Sequence, residues 1–294
     1  MRHFLEIDDL AASELATVLD LSAAPNPPQV LAGKGAALVF EKPSLRTRNS
    51  TEMAVVQLGG HPVMIGAAEV GLGVRETPED VIRTLAGYHA VVAARVFEHE
   101  KLERMAALDV VPVVNLLSDL AHPCQAVADL LTLRQHFGRL EGLAVAFVGD
   151  GNNVARSLSI AAALSGITMR IASPPGYELP EADVERVRAL GGTIELTNRP
   201  EDAVKGANAV YTDVWASMGQ EAEAASRRRA FEGFTIDDAL MRHADADAVF
   251  LHCLPAHRGE EVAAEVLESS RSLVWPQAQN RMHSARGVLA FLLS

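Results

Sequence analysis

Leu143-Ala144-Val145-Ala146-Phe147-Val148-Gly149-Asp150-Gly151-Asn152-Asn153 reads as an apolar strand running into a glycine-containing polar turn, and the segment 157–164 beyond it is apolar all round. An uninterrupted apolar run marks a strand buried on both faces, and a helix without a polar stripe is buried on several sides. Strand, turn and helix in that order are the unit of a parallel α/β sheet. The same grammar extends outward in both directions. It predicts further strands at 36–40, 62–65, 90–96 and 111–117 in the first half, then at 169–172, 193–196, 209–212 and 249–254 in the second. The chain has 294 residues, a length at which cores usually divide. The expected fold is α/β with two domains, each a parallel sheet flanked by helices.

Two helices are legible from their ends. Thr77-Pro78-Glu79-Asp80 offers a threonine cap, a proline at the first helical position and acids in the first turn. Val81, Ile82 and Leu85 then repeat at helical spacing, and Gly87 is the expected stop. A second helix is expected from Pro123 to about Phe137, between the two strand sets, where it would cross from one domain to the other.

Composition limits the partners. Hydrophobic residues make up 49% and charged residues 22%, a folded globular balance. The formal net charge of −12 disfavours nucleic acid and anionic membrane, both of which attract positive surfaces. It leaves room for a small anion held by a few focused arginines. The dense basic run Arg227-Arg228-Arg229 is expected to be a solvated face. The two cysteines, Cys124 and Cys253, lack CxxC spacing and form neither a zinc pattern nor a disulfide framework. The N-terminus lacks an apolar core of signal-peptide length and no apolar stretch reaches membrane length, so a soluble, cytoplasmic protein is expected.

Ligands of open parallel sheets bind beyond the carboxyl ends of the strands, so the residues there carry the chemistry. After the first strand come Glu41-Lys42-Pro43-Ser44-Leu45-Arg46-Thr47-Arg48. Ser44 falls where a helix begins, with Arg46 and Thr47 in its first turn. Free backbone N–H groups, two hydroxyls and a guanidinium suit phosphate there. A serine cap with solvated arginines accounts for the same stretch. Cations at a helix N-terminus oppose the helix dipole, which favours a bound anion compensating them. Arg95 ends another apolar strand and must meet a ligand or pair with an acid such as Glu98 or Glu100.

His122-Pro123-Cys124-Gln125 places a histidine before a helix and an amide in its first turn, able together to polarise a carbonyl and bind an NH₂ group. A capping histidine with a surface glutamine is the plainer alternative. Gly149-Asp150-Gly151-Asn152-Asn153 resembles a dinucleotide turn, but Val154 stands where GxGxxG requires its last glycine. The two asparagines suit an amino-acid carboxylate or simple turn chemistry. Asp213 and Cys253 each follow an apolar strand, and an acid with a thiol can hold a substrate ammonium and assist its deprotonation. A lone buried cysteine is also a common small hydrophobe. Asn280-Arg281-Met282-His283 is expected to open an apolar C-terminal helix, where a solvated Arg281 on the first turn is the plain reading of the residues alone.

In ordered combination these segments resemble the aspartate/ornithine carbamoyltransferase family, in its ornithine branch, over essentially the whole chain. The matching stretches are FEKPSLRTR, ARVFEHE, HPCQAVADLLTL, GDGNN, DVWASMGQE, HCLPAHRGEEV and NRMHS. The resemblance implies a carbamoyl-phosphate domain at 1–121, completed by a C-terminal helix at 280–294 that packs back on it. It implies an ornithine domain at 122–279 and a homotrimer or a multiple of trimers. It implies no metal and no organic cofactor. Carried over by position, Ser44, Leu45 (through its backbone N–H), Arg46, Thr47 and Arg95 would hold phosphate. His122, Gln125 and Arg281 would meet the carbamoyl group. Asn153, Asp213, Ser217 and Met218 would bind the ends of L-ornithine, with Cys253 and the Leu254 carbonyl beside its side-chain amine. The implied reaction gives L-citrulline and phosphate in arginine biosynthesis, with the donor and nucleophile pockets facing one crevice. Leu45 replaces a hydroxyl residue common in the family, and Gly71 stands where many members have a glutamine that reaches a neighbouring subunit.

The rivals leave residues without a role. Aspartate carbamoyltransferases typically carry a basic residue where this chain has Ala256, and Asp213 would repel aspartate's second carboxylate. A dinucleotide oxidoreductase explains the sheet but not SLRTR or HPCQ. A non-catalytic assembly subunit would not need the full set of chemical residues.

Overall fold

The computed structural model describes residues 1–216 and 221–294. They form two compact units, one of Met1–Leu131 with Gln279–Ser294 and the other of Thr132–Ala278. The 131/132 division falls inside the helix that follows His122, ten residues beyond the 121/122 boundary expected from the sequence.

The first unit runs α1 (Ala12–Ala23), β1 (Gly35–Phe40), α2 (Leu45–Gln57), β2 (His61–Gly66), α3 (Pro78–Ala86), β3 (His89–Arg95), α4 (His99–Ala106), β4 (Val113–Leu117) and α5 (Pro123–Phe137). Its sheet is parallel, in the order β2-β1-β3-β4. Leu38 of the central strand β1 aligns with Met64 on one side and Ala93 on the other. Val39, Val92 and Ala94 pack against Val81, Ile82 and Leu85 of α3 and Leu102 and Met105 of α4 in one apolar cluster. Each such buried Val, Leu, Ile or Met side chain contributes roughly 1.5–3 kcal/mol. α3 begins as the sequence predicts: the Thr77 side chain accepts from the Asp80 N–H at 3.2 Å, with proline in the first turn.

The strand order matters for function. The chain lays β2 on one side of β1 and then crosses to lay β3 on the other. The loops leaving β1 and β3 therefore open side by side, at the switch point where parallel sheets bind ligands. Ser44 and the first turn of α2 follow the first of these loops, and Arg95 ends β3 where the second begins.

The second unit repeats the device with β5 (Ala144–Val148), α6 (Asn153–Leu164), β6 (Thr168–Ala172), α7 (Glu181–Ala189), β7 (Thr193–Thr197), β8 (Ala209–Thr212), α8 (Ala224–Ala230) and β9 (Val249–His252). The parallel order β7-β6-β5-β8-β9 puts its switch point between β5 and β8. GDGNN follows β5 and Asp213 follows β8. β9 ends at His252, not at 254 as expected, which leaves Cys253 just past the strand. α6 is buried from Val154 through Ala162, as its lack of a polar stripe predicts.

The last helix, α9 (Val274–Leu293), starts earlier than the sequence suggested. Asn280-Arg281-Met282-His283 lies within it, not at its opening, and Arg281 is buried where a solvated first-turn arginine was the plain alternative. Its second half packs on the first unit. Ser284 Oγ donates to the Cys124 carbonyl at 3.0 Å, and Arg286 donates to the carbonyls of Ser22 (2.6 Å) and Ala24 (2.8 Å). Among the described residues no helix is long and apolar enough to cross a membrane.

Candidate active site

In the first unit, Ser44 is the N-cap of α2, and its Oγ accepts from the Thr47 N–H at 3.2 Å. Arg95, at the end of β3 and buried, turns its Nη1 to Ser44 Oγ (3.4 Å) and Thr47 Oγ1 (3.2 Å). The structure thus brings Ser44, Thr47 and Arg95 together at a helix N-terminus. Glu98, the acid expected to compete for Arg95, lies 3.7 Å from Lys101. Arg46 stands half-buried on the same first turn, Leu45 is exposed, and Arg48 is taken by Glu52 at 2.9 Å. Glu41, which the sequence did not single out, fixes the loop geometry. Its carboxylate accepts from the Phe97 N–H (2.7 Å) and Lys101 Nζ (2.8 Å), while its own N–H bonds the Arg95 carbonyl at 2.9 Å.

Beside this cluster, His122, Gln125 and Arg281 are buried together. Arg281 Nη1 donates to Gln125 Oε1 at 2.5 Å and approaches His122 Nε2 at 3.4 Å. A guanidinium only donates, so this approach requires a lone pair on Nε2 and puts the neutral imidazole's proton on Nδ1. Burial, then the charges of Arg281 and Arg95, hold His122 well below the ordinary imidazole range. His122 is therefore neutral beside two guanidiniums. Cys124, between these residues in sequence, is a core thiol pushed up to about 11 by burial, with Sγ 3.5 Å from the Asn115 carbonyl. It is inert at neutral pH.

The second unit's cluster is built on Asp213. Its Oδ1 accepts from the Val214 N–H (2.8 Å) and Cys253 Sγ (2.9 Å), and its Oδ2 accepts from Asn152 Nδ2 (2.9 Å). Asn152 also caps α6 through the Val154 and Ala155 N–H groups, leaving Asn153 as the first helical residue. Leu254 adopts a left-handed φ of 59° ahead of a cis proline bond. His252 holds that turn: its Nδ1 accepts from the Leu254 N–H at 2.8 Å, and its Nε2 meets Glu261 Oε1 at 3.2 Å. Asp213, His252 and Cys253 offer ligand atoms within 4.8 Å of one another. Both imidazole nitrogens are already engaged by Leu254 and Glu261, so His252 serves the turn, and within the trio Cys253 bonds Asp213. Ser217 and Met218 lie outside the described residues.

Arg227 corrects the expectation of a solvated basic run. Arg228 and Arg229 are exposed, but Arg227 is buried, donating to Asp150 Oδ2 (2.7 Å) and the Trp215 carbonyl (3.0 Å) over the Tyr177 ring. It ties the turn after β5 to the loop after β8. Gly151 explains why the turn mimics a dinucleotide motif without being one. A Cβ there would lie 2.3 Å from Leu179 N, so the close approach this glycine permits is to the chain's own backbone.

Residues 2–135 match the family model "Aspartate/ornithine carbamoyltransferase, carbamoyl-P binding domain", and residues 141–292 match its "Asp/Orn binding domain". The chain belongs to the aspartate/ornithine carbamoyltransferase family. A protein of Acidothermus cellulolyticus named ornithine carbamoyltransferase is 50% identical, over 100% of this chain and 97% of its own. The structure of ornithine carbamoyltransferase from Pyrococcus furiosus superposes with a TM-score of 0.94 at 44% identity, over 99% of this chain and 96% of that one. The Thermus thermophilus structure gives 0.91 at 45% identity, over 100% and 99%. Within this carbamoyltransferase family, the Ser44–Thr47–Arg95 cluster falls in the carbamoyl-phosphate model and the Asp213–Cys253 pair in the acceptor model.

Sequence reasoning missed Glu41, Asp129, the His252–Glu261 pair and buried Arg227, and it named Asn152 without its bond to Asp213. Only Glu41 and Asp129 had a local signal, an acid at a strand end and an acid four residues beyond Gln125 on a buried helix.

Proposed function

We propose that this enzyme transfers the carbamoyl group of carbamoyl phosphate to the side-chain amine of L-ornithine, giving L-citrulline and phosphate in arginine biosynthesis. Ser44, the Leu45 N–H, Arg46, Thr47 and Arg95 hold the phosphate, and His122, Gln125 and Arg281 hold the carbamoyl group. Asn153, Asp213, Ser217 and Met218 bind the amino and carboxylate ends of ornithine, with Cys253 and the Leu254 carbonyl beside the attacking amine. The amine's lone pair forms the new C–N bond, and the resulting oxyanion is met by Arg281 and the neutral His122. The bond from carbon to the phosphate oxygen then breaks, its electron pair leaves with phosphate, and the proton shed by the new nitrogen is taken up by that departing phosphate. Carbamoyl phosphate arrives activated, so arginines on the leaving group supply the electrostatics without a metal or cofactor.

The observation that carries this reading is Arg95 seated on the Ser44 and Thr47 hydroxyls at the N-terminus of α2, an anion site with its cation already in place. Ornithine is favoured over aspartate by the Asp213 carboxylate, which attracts an ammonium and repels a second carboxylate. A homotrimer, or a multiple of it, is the assembly that membership of the family suggests for this chain. A cytoplasmic location fits two cysteines that are both free thiols. Purified protein offered carbamoyl phosphate with ornithine, putrescine, aspartate or N-acetylornithine tests the acceptor. Ureido product with ornithine alone is expected; product with aspartate or putrescine instead would overturn it.

A further inference from the structure

Asp129 is wholly buried one turn beyond Gln125 on α5, and its Oδ1 accepts from Gln125 Nε2 at 2.7 Å. On the other end of the same amide, Gln125 Oε1 accepts from Arg281 Nη1 at 2.5 Å. A carboxylate only accepts and a guanidinium only donates. One orientation of the amide satisfies both; the flipped one sets oxygen against oxygen and NH₂ against guanidinium. The amide is therefore pinned with its oxygen toward Arg281 and His122. A carbonyl oxygen has two lone pairs, and Arg281 uses one.

We infer that Asp129 is a positioning residue that fixes Gln125 as a hydrogen-bond acceptor, and thereby selects a donor bearing NH₂ over an otherwise similar acyl phosphate bearing a methyl group. This rests on the assignment of Gln125 to the carbamoyl group. The selectivity follows from the chemistry of the two ligands. An NH₂ gives the second lone pair a proton, whereas a methyl displaces water from it and returns nothing. Without Asp129 the buried Nε2 has lost its acceptor, and the side chain turns to recover one. Phosphate binding, which depends on Ser44, Thr47 and Arg95, is untouched.

The test compares two hydrolytically stable ligands by calorimetry: phosphonoacetamide, which carries the carbonyl and NH₂, and acetonylphosphonate, with a methyl in place of NH₂. The wild type is expected to prefer the amide by about tenfold or more, the worth of one buried hydrogen bond. Asp129→Leu is expected to bring that ratio near unity with unchanged affinity for inorganic phosphate, and Asp129→Asn, which keeps an oxygen acceptor, to restore most of it. Should the leucine variant fail to fold, Asp129→Ala carries the same expectation, since water admitted there bonds either end of the amide. A wild type without preference would refute the assignment of Gln125 and this inference with it. A wild-type preference that persists in the leucine or alanine variant would overturn the inference alone, as would an equal loss for inorganic phosphate.

Discussion

The Cys253 thiol donates to Asp213 Oδ1 at 2.9 Å, joining residues that leave adjacent strands β9 and β8. The same carboxylate takes the Val214 N–H and the Asn152 amide, so it is held by neutral donors. In the proposed function this carboxylate receives the substrate's ammonium group. Asp213→Asn removes the charge and keeps the shape. It is expected to lower kcat/KM for ornithine by roughly a hundredfold, the order of cost for losing a buried charge partner. Steady-state kinetics paired with carbamoyl-phosphate binding check this, and an equal loss of donor affinity would contradict the assignment.

Arg95 reaches both hydroxyls through Nη1, and lysine, which ends in a single nitrogen, lacks the planar guanidinium fork that suits bidentate binding of phosphate. Arg95→Lys is expected to lower kcat/KM by at least about a hundredfold, because the charge is kept but the fork is lost. Arg46→Ala is expected to impair turnover to a similar degree without changing the unfolding midpoint. Near-normal turnover in that variant would remove Arg46 from the phosphate site.

His122 gives a pH dependence whose sign follows from its environment. Burial and two guanidiniums hold its folded value well below 6.5. The unfolded chain takes up that proton as pH falls through about 6.5, while the folded protein does not. The unfolded state then binds more protons, so stability declines with falling pH. His122→Gln is expected to make this decline shallower by about 1 kcal/mol between pH 6.5 and 5.5. His89 and His283, also lowered by burial, leave a residual slope. Urea unfolding across that range measures the difference, and an unchanged slope would contradict it.

Gly287 sits inside α9, where alanine ordinarily stabilises a helix by about 1 kcal/mol. Here a Cβ would meet Ser22 Oγ at 2.0 Å and the Val18 carbonyl at 2.6 Å, both on α1. The sign is expected to invert, with Gly287→Ala losing about 1–3 kcal/mol. A lowered thermal midpoint confirms the close helix contact; a raised one denies it.

Most of the nine strands among the described residues were legible as apolar runs closed by a polar turn, while the edge strands β2 and β7 are only partly buried and carry a weaker signal. The strand-end rule marks Ser44, Thr47, Arg95 and Asp213 from the sequence alone. The partners that set their geometry were not legible. Arg281 finds Gln125 across 156 residues of chain, and Arg227 finds Asp150 across 77. No local periodicity distinguishes a buried arginine so paired from a solvated one. The start of α9 was misplaced for a related reason. Its early turns carry Trp275, Pro276 and Gln277, whose mixture of apolar and polar types has no amphipathic stripe to read.

Carbon-13 placed in the carbamoyl group of carbamoyl phosphate follows the transferred atom itself. After incubation of the purified enzyme with this donor and L-ornithine, the label is expected at the ureido carbon of citrulline, bonded to the side-chain nitrogen, with one phosphate released per label. Label that stays in carbamoyl phosphate, or emerges only as bicarbonate while ornithine is unchanged, would contradict carbamoyl transfer by this protein.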